Sequence, residues 1–566
     1  MKKDVFKILF IVIVILGFLL RVIGLNKYPP AVSWDEISHG YNAYSILRTG
    51  RDEWGVLFPL SNFRAYGDYP LVLNMYFMIP TIFIMGLNEI SIRLPGAILG
   101  TLTIVAAYFL VYGLTKSKKI SLLTSFLVAF EPWNWFLNRF AAQTNLSIFF
   151  LTASAAAFFN REKNKFLLPL SALFLGLTLF SYHTTRIISP LILLAAIYIY
   201  RKNMGLYWNK NVWTKRLTLF FILLFFLPLP FVLADPASRA RSSEVFLLNE
   251  GAVNRIIEKR LTSTYPKLIT RLLYNRPVYF IIEATKNHIE YYTPKFLFFK
   301  GGTHYQFSLP GKGLLFPVNL LFFYIGIYLT IRKALNKDKN YQFILLWFLL
   351  APLSGSITKE HYAVMRATPM IPLVQLFSAI GVISFLKYIK NKWNMKFVYL
   401  VVAIYTAIAL LNFEDYSLEY FGTYTRNYSQ DRQYGYRQVV SNIKEKYNNY
   451  NKIIVTKRYG EPHEFILFFW PWEPKIYRGD TNLIRFYQSN WYWVDRFDKF
   501  YFVNDWNIPR GEWEDFILES GGRVRCEKLV DSCLLITSPD NYPLGWTKLE
   551  TINFLNGKSA FEILEK

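Results

Sequence analysis

Trp34-Asp-Glu-Ile-Ser-His-Gly-Tyr-Asn-Ala-Tyr-Ser-Ile-Leu-Arg-Thr-Gly-Arg-Asp-Glu-Trp-Gly55 is the stretch on which the reading of this chain turns. It follows an apolar run, Ile8 to Leu20, and the lead-out Arg21-Val-Ile-Gly-Leu-Asn-Lys-Tyr-Pro-Pro30, so the adjacent carboxyls of Asp35 and Glu36 fall just beyond a membrane surface. An acidic pair there suits acid/base chemistry on a substrate presented from the bilayer. The same residues suit a helix start, with Asp35 capping an amphipathic helix from Ile37 to Leu47, and the two readings are compatible.

Working outward, 566 residues that are 53% hydrophobic and 18% aromatic are too many for one soluble domain and too apolar for an ordinary soluble protein. Several apolar runs reach the roughly 20 residues a membrane-crossing helix needs. The formal charge of +25 would suggest nucleic acid in a soluble domain. Here much of the Lys and Arg lies in short loops between apolar runs, which reads as membrane topology. With only Cys526 and Cys533, a disulfide-rich scaffold and a multi-cysteine metal site are both excluded.

The first span, about residues 5 to 25, has a basic start and no small-residue cleavage site, so it is expected to be retained with its amino end in the cytoplasm. Pro70 to Gly86 is short and interrupted by Asn74 and Pro80. Read as an interfacial helix inside one long external loop, it leaves the basic loops at 116–119, 161–165, 201–216, 332–339 and 387–396 on the cytoplasmic side, as the charge bias favours. Further spans are expected at 92–114, 120–137, 144–160, 166–182, 186–200, 217–234, 313–331, 341–357, 367–386 and 397–413, about eleven in all. Residues 1–413 then form a mainly α membrane domain with external loops at 26–91 and 235–312. The spans are nearly free of charge apart from Glu131, which argues against an ion or proton pathway.

Beyond Phe413 the composition turns charged and aromatic, and 414–566 reads as an external soluble α/β domain. Helices are expected at 430–447, 462–470 and 512–520, strands at 452–456 and 499–503, and a strand pair at 523–526 and 533–537. Cys526 and Cys533 are either bonded, in an oxidising compartment, or two free thiols.

Several segments in order resemble the GT-C membrane glycosyltransferases, in the branch of the dolichyl-phosphate-mannose-protein mannosyltransferases, family 39. They are Arg21-x-x-x-Leu25, Pro29-Pro30 and Trp34-Asp35-Glu36, then Gly40 to Leu47, Thr49 to Gly55, Gly67-Asp68-Tyr-Pro, Gly86 to Pro95 and Pro132 to Arg139. Ser181-Tyr-His183-Thr-Thr-Arg186, Phe296-Leu-Phe-Phe-Lys300-Gly-Gly302 and Ser308 to Gly311 follow. The resemblance implies a GT-C bundle with amphipathic helices in its first external loop. It implies a polyprenyl-phosphate sugar as donor, mannose or another hexose or pentose, and a protein, lipid or glycan acceptor at the outer face of the plasma membrane. It implies Asp35 as the base in an inverting transfer, with Glu36 beside it. Relatives usually carry an acidic residue in the turn after the Arg, where this chain has Gln143, so either the chemistry relies on Asp35 and Glu36, or the amide only orients the sugar, or the chain is a degenerate, inactive copy.

Sugar transfer from a phosphate ester needs a base for the acceptor proton and cations for the leaving phosphate. Arg139, Arg186, Lys359 and Arg366 are candidates for the second task, all expected at the outer rim, with interfacial snorkelling as the alternative role. His183, Gln143, Asp68, Lys300 and His304 complete the substrate-binding candidates, and 296–310 is a candidate lid over the donor. His183, His304 and His361 lack metal-ligand spacing. No cofactor is expected to be required, and a divalent metal is compatible but not indicated. The alternatives are a transporter or flippase of lipid-linked sugars, and a glycan ligase; a nucleic-acid partner is not expected.

Overall fold

The computed structural model describes residues 3–208, 212–236, 244–512, 514–527 and 530–566, so small parts of the expected loops at 201–216 and 235–312 and of the expected helix at 512–520 lie outside the described residues. The chain divides into two compact units. One comprises Met1–Ile23, Gly96–Asn138 and Ala142–Ser417, the other Gly24–Pro95, Arg139–Ala141 and Leu418–Lys566.

The first unit is a helical bundle. Among the described residues, seven helices are long and apolar enough to cross a membrane: Asp4–Val22, Glu89–Thr115, His183–Arg201, Val212–Ala234, Pro317–Leu335, Thr368–Lys392 and Met395–Asn427. The other four expected spans are shorter or broken. Residues 144–160 and 166–182 contain helices Thr144–Phe159 and Leu167–Thr178, while 341–357 splits into Lys339–Leu350 and Leu353–Ser356. At about 1.5 Å per residue these do not reach the roughly 30 Å hydrocarbon thickness.

The fourth case, 120–137, shows why. Pro132 has no N–H for the Val128 carbonyl, and the helix breaks at Glu131 into Lys118–Phe130 and Pro132–Asn138. Arg21 fills the gap: Nη2 donates to the Val128 carbonyl at 3.2 Å, Nη1 to that of Ala129 at 3.0 Å, and Nε to Asn138 Oδ1 at 2.8 Å. Glu131, fully buried, accepts from Asn319 Nδ2 at 2.7 Å. Elsewhere in the bundle, helices Leu320–Leu335 and Leu373–Lys392 touch backbone to backbone. A methyl group on Gly326 would collide with the Phe377 carbonyl, and one on Gly381 with that of Phe322.

In the second unit the first loop and the carboxy-terminal residues share one apolar core, in which Ile37, Tyr41, Met75 and Met78 meet Phe465, Phe468, Ile453 and Phe500. The strands are β1 (Lys452–Thr456), β2 (Ile484–Gln488), β3 (Trp491–Phe497), β4 (Phe500–Val503), β5 (Phe516–Ile517), β6 (Arg523–Val524), β7 (Cys533–Thr537), β8 (Thr547–Asn553) and β9 (Ser559–Glu565). Seven of them form a sheet in the order β2-β3-β4-β1-β7-β9-β8. β1 is parallel to both neighbours, with Ile453 opposite Phe500 and Leu534.

The expected strand at 452–456 and helix at 462–470 stand, the latter as Pro462–Phe469, and the helix at 430–447 shortens to Tyr436–Lys446. Two expectations are corrected. Part of 512–520 is strand β5, paired with β6, and β7 pairs with β1 and β9 instead of with 523–526. The β7 correction has a long-range cause, since β1 and β9 lie far outside any local window, whereas β5 is a two-residue strand too short to show a period.

Cys526 and Cys533 are bonded, seven residues apart. A loop this short gains about 2.5 kcal/mol from cross-linking on the chain-entropy account. Cys526→Ser with Cys533→Ser is expected to lower the melting temperature of the purified protein by a few degrees, and reductant to have the same effect on the wild type alone.

Candidate functional site

Ser33 is extended, and its N–H donates to Glu36 Oε2 at 3.2 Å, which starts the helix Trp34–Thr49. Gly50, at φ 69°, ends it in a left-handed conformation that glycine adopts without strain. The cap is therefore Ser33, and Asp35 is the second helical residue. The helix is not amphipathic as expected. Glu36, Ile37, Ser38, His39, Gly40, Tyr41 and Asn42 are all buried, and Asp35 and Arg48 are its exposed positions. Gly40 permits the close fit, since a methyl there would lie 2.8 Å from Ile92 and 3.0 Å from Phe468. The second helix of the loop, Leu73–Met85, buries Asn74, Met75, Met78 and Ile82 and exposes Phe77, Phe83, Ile84 and Met85.

The two adjacent carboxyls thus have different surroundings. Glu36 is 2% exposed, and each of its oxygens accepts twice. Oε1 takes Arg93 Nε at 2.8 Å and the Ala141 N–H at 3.0 Å, and Oε2 takes Arg93 Nη2 at 2.9 Å and the Ser33 N–H. Arg93, fully buried, also donates to the carbonyls of Leu25, Pro29 and Ala31, which fixes the lead-in to the helix. Burial pushes the Glu36 carboxyl up, but the charges of Arg93 and Arg432 and the Ala141 N–H outweigh it and hold the group below its ordinary 4.5. A lowered folded value adds stability above the unfolded value that is lost as pH falls through the folded one. The melting-temperature gap between wild type and Glu36→Gln is therefore expected to be constant above about pH 5 and to shrink as pH drops below 4.

Arg139 belongs to the same frame. Ala141, two residues on, is held by Glu36 through its N–H and by Asn74 Nδ2 through its carbonyl at 3.0 Å. Arg139 is fully buried and donates to the Tyr28 carbonyl at 3.2 Å and the Tyr420 hydroxyl at 3.3 Å, with its guanidinium over the Phe421 ring at 5.2 Å. Tyr28 and Phe421 also edge a cavity of about 560 Å³ that includes Lys27, Arg426, Gln433 and Arg437. Arg437 there is paired with Glu89. Asp68 closes a local turn, its carboxylate accepting from the Tyr69 N–H at 2.8 Å.

The remaining candidates lie in the helical unit. Gln143 sits at the start of helix Thr144–Phe159, and His183 is the first residue of its helix, half-buried. Arg186 is buried, with Nε donating to the Leu179 carbonyl at 3.0 Å. Arg366 is paired with Glu360 at 3.0 Å and bonds Thr358 at 2.8 Å. Lys359 is exposed and edges a cavity of about 340 Å³ together with Arg255, Lys259, Glu283 and His361. Lys300 and His304 are exposed, but the segment around them is packed: Phe296 is fully buried against Trp133 and Tyr291.

Sequence reasoning missed Arg93, Arg255 and Lys259. Arg93 had a signal, a lone guanidinium at the start of a long apolar run, where a buried charge demands a partner. Arg255 and Lys259 had none beyond their four-residue helical spacing.

Residues 11–235 match the family described as dolichyl-phosphate-mannose-protein mannosyltransferase. No curated protein sequence matches the chain. Among solved structures, the oligosaccharyltransferase AglB of Archaeoglobus fulgidus, in complex with an inhibitory peptide and dolichol-phosphate, aligns over 83% of this chain and 64% of its own, at a TM-score of 0.51 and 14% identity. The chain thus spans less than two thirds of that protein. ArnT of Cupriavidus metallidurans bound to undecaprenyl phosphate aligns over 98% of this chain and 97% of its own, at a TM-score of 0.51 and 9% identity. The chain thus shares its fold with two membrane glycosyltransferases that handle polyprenyl phosphates, and part of its sequence matches a glycosyltransferase family. The family it matches over residues 11–235 is that of the protein mannosyltransferases.

Proposed function

We propose that this protein transfers a sugar from a polyprenyl phosphate to an acceptor at the outer face of the plasma membrane, with inversion, and that Asp35 is the general base. The observation that carries this reading is the division of labour at residues 35 and 36. Glu36 is consumed by four hydrogen bonds that hold the helix start and the Arg139 turn together, while Asp35 is left exposed at the helix N-terminus. A base must reach the acceptor hydroxyl, and a helix N-terminus is a favourable place for a negative charge.

In this mechanism Asp35 removes the acceptor proton as the oxygen attacks the anomeric carbon, and the sugar–phosphate bond breaks on the opposite side. Arg139, Arg186, Lys359 and Arg366 are the cations proposed for the departing phosphate, and Gln143, His183, Asp68, Lys300 and His304 for the sugar. Arg366, already paired with Glu360, is the weakest of these. The cavity edged by Lys27, Arg426 and Gln433 suits an anionic or polyhydroxylated group. In this reading the four shorter apolar helices complete a bundle of about eleven crossings, residues 1–413 are the catalytic domain, 414–566 is external, and the amino terminus is cytoplasmic.

The test is direct. The purified protein is incubated in detergent with radiolabelled polyprenyl-phosphate mannose, glucose and arabinose and with a membrane extract. Label in a glycosidic product of inverted configuration supports the proposal. Movement of the lipid-linked sugar across vesicle membranes without any glycosidic product would replace it with a transporter.

A further inference from the structure

Glu53, His463 and Glu464 each bring one potential ligand atom within 4.8 Å of the others, the one such grouping among the described residues. All three are at least 97% buried, inside the second unit and in no role assigned above. Glu53 lies in the turn after the Trp34–Thr49 helix, its N–H held by Asn42 Oδ1 at 2.9 Å. His463 and Glu464 open the helix Pro462–Phe469.

Charge counting makes the cluster unusual. Glu461, 1% exposed, adds a third carboxylate, and Arg485, 3.0 Å from Glu53, offsets one of the three. Lys457 is engaged by Asp495 and Glu519. Asp52 has Arg478 as its cationic neighbour. Two negative charges are left in an apolar interior, at a cost of several kcal/mol each unless neutralised. Protons are one remedy and a bound cation is another.

Geometry favours a cation. Glu53 and Glu464 share a side-chain hydrogen bond, but Glu464 Oε2, Glu461 Oε2 and His463 Nδ1 have no partner, so one shared proton does not satisfy the cluster. The two imidazole nitrogens face two different carboxylates. Nδ1 is 3.4 Å from Glu461 Oε2, and Nε2 is 4.0 Å from Glu464 Oε1, too long for a hydrogen bond and near the roughly 3.4 Å between ligand atoms around a tetrahedral zinc. A metal-bound histidine characteristically gives its other N–H to a carboxylate.

We propose that Glu53, His463 and Glu464 bind a divalent transition-metal ion of the zinc class, with Glu461 orienting the histidine. One imidazole nitrogen and two carboxylate oxygens suit such an ion, and its two charges cancel the excess. Its role is structural: it clips the turn that follows the Asp35 helix to the helix at Pro462. The inference is independent of the donor and acceptor of the transfer reaction.

The experiment uses the full chain in detergent with its affinity tag removed. Elemental analysis after desalting is expected to find about one zinc per chain, in the protein as isolated or after incubation with Zn²⁺. A chelator is expected to lower the melting temperature and added Zn²⁺ to restore it. His463→Gln with Glu464→Gln is expected to cut the metal content at least tenfold and abolish the response to chelator. Wild-type protein with less than a tenth of an equivalent after Zn²⁺ addition overturns the proposal, even if the variant fails to fold. Equal metal in wild type and variant overturns it as well.

Discussion

Asp35→Asn is expected to reduce sugar transfer by about 10²- to 10⁴-fold, the range a positioned general base contributes, while leaving the protein folded. The amide keeps the shape of the side chain and cannot accept the acceptor proton at neutral pH. Asp35 is exposed, so the amide meets solvent at the same place. The stability cost includes the favourable interaction of an acid with the helix N-terminus, about 0.3–1 kcal/mol. The checks are transfer rate with the donor that the wild type accepts and a thermal melt on the same preparation. A variant with wild-type rates would remove Asp35 as the base.

Glu36→Ala is expected to do the reverse, damaging the frame first and the chemistry through it. The substitution leaves Arg93 buried and charged without its carboxylate, at a cost of about 3–5 kcal/mol. It also strips the Ala141 N–H of its acceptor, loosening the turn that carries Arg139. Transfer should fall together with the melting temperature. The double variant Glu36→Leu with Arg93→Met should recover part of the stability, since an apolar pair of similar volume often replaces a buried ion pair without loss. It should not recover transfer. Full activity in the double variant would show that Glu36 positions nothing the reaction needs.

The contrast between these two variants shows where reading residues one at a time stops. Asp35 and Glu36 are adjacent, alike in chemistry and equally eligible as base. Which of them is buried depends on Arg93 and Ala141, at 57 and 105 residues' separation, and no local pattern encodes a partner so far along the chain. Membrane spans lie at the other extreme. Their signal is a continuous apolar run, a local property, so the seven long helices were legible from composition and length. The broken ones were less so: Pro132 announced a kink, but not that Arg21 would satisfy the carbonyls it leaves open.

In the carboxy-terminal residues, β1 and the helix at Pro462 were readable because their apolar residues follow the period of the element they form. β5 was not, because two residues show no period, and the pairing of β7 was not, because its partners β1 and β9 lie far along the chain. The same holds for the Trp34–Thr49 helix. Its start and stop were written in Ser33, Glu36 and Gly50, but its burial on nearly every side came from packing against Pro462–Phe469, more than 400 residues later.

Local chemistry therefore settled that the chain crosses a membrane and which residue types stand ready beyond the first span. Long-range packing settled which carboxylate is exposed, which cations are already paired, and that the first loop and the final sheet share one core. The reason is physical. Hydrophobic runs and caps act over a few residues, whereas the burial and charge that give a side chain its role are set by whatever the folded chain brings against it.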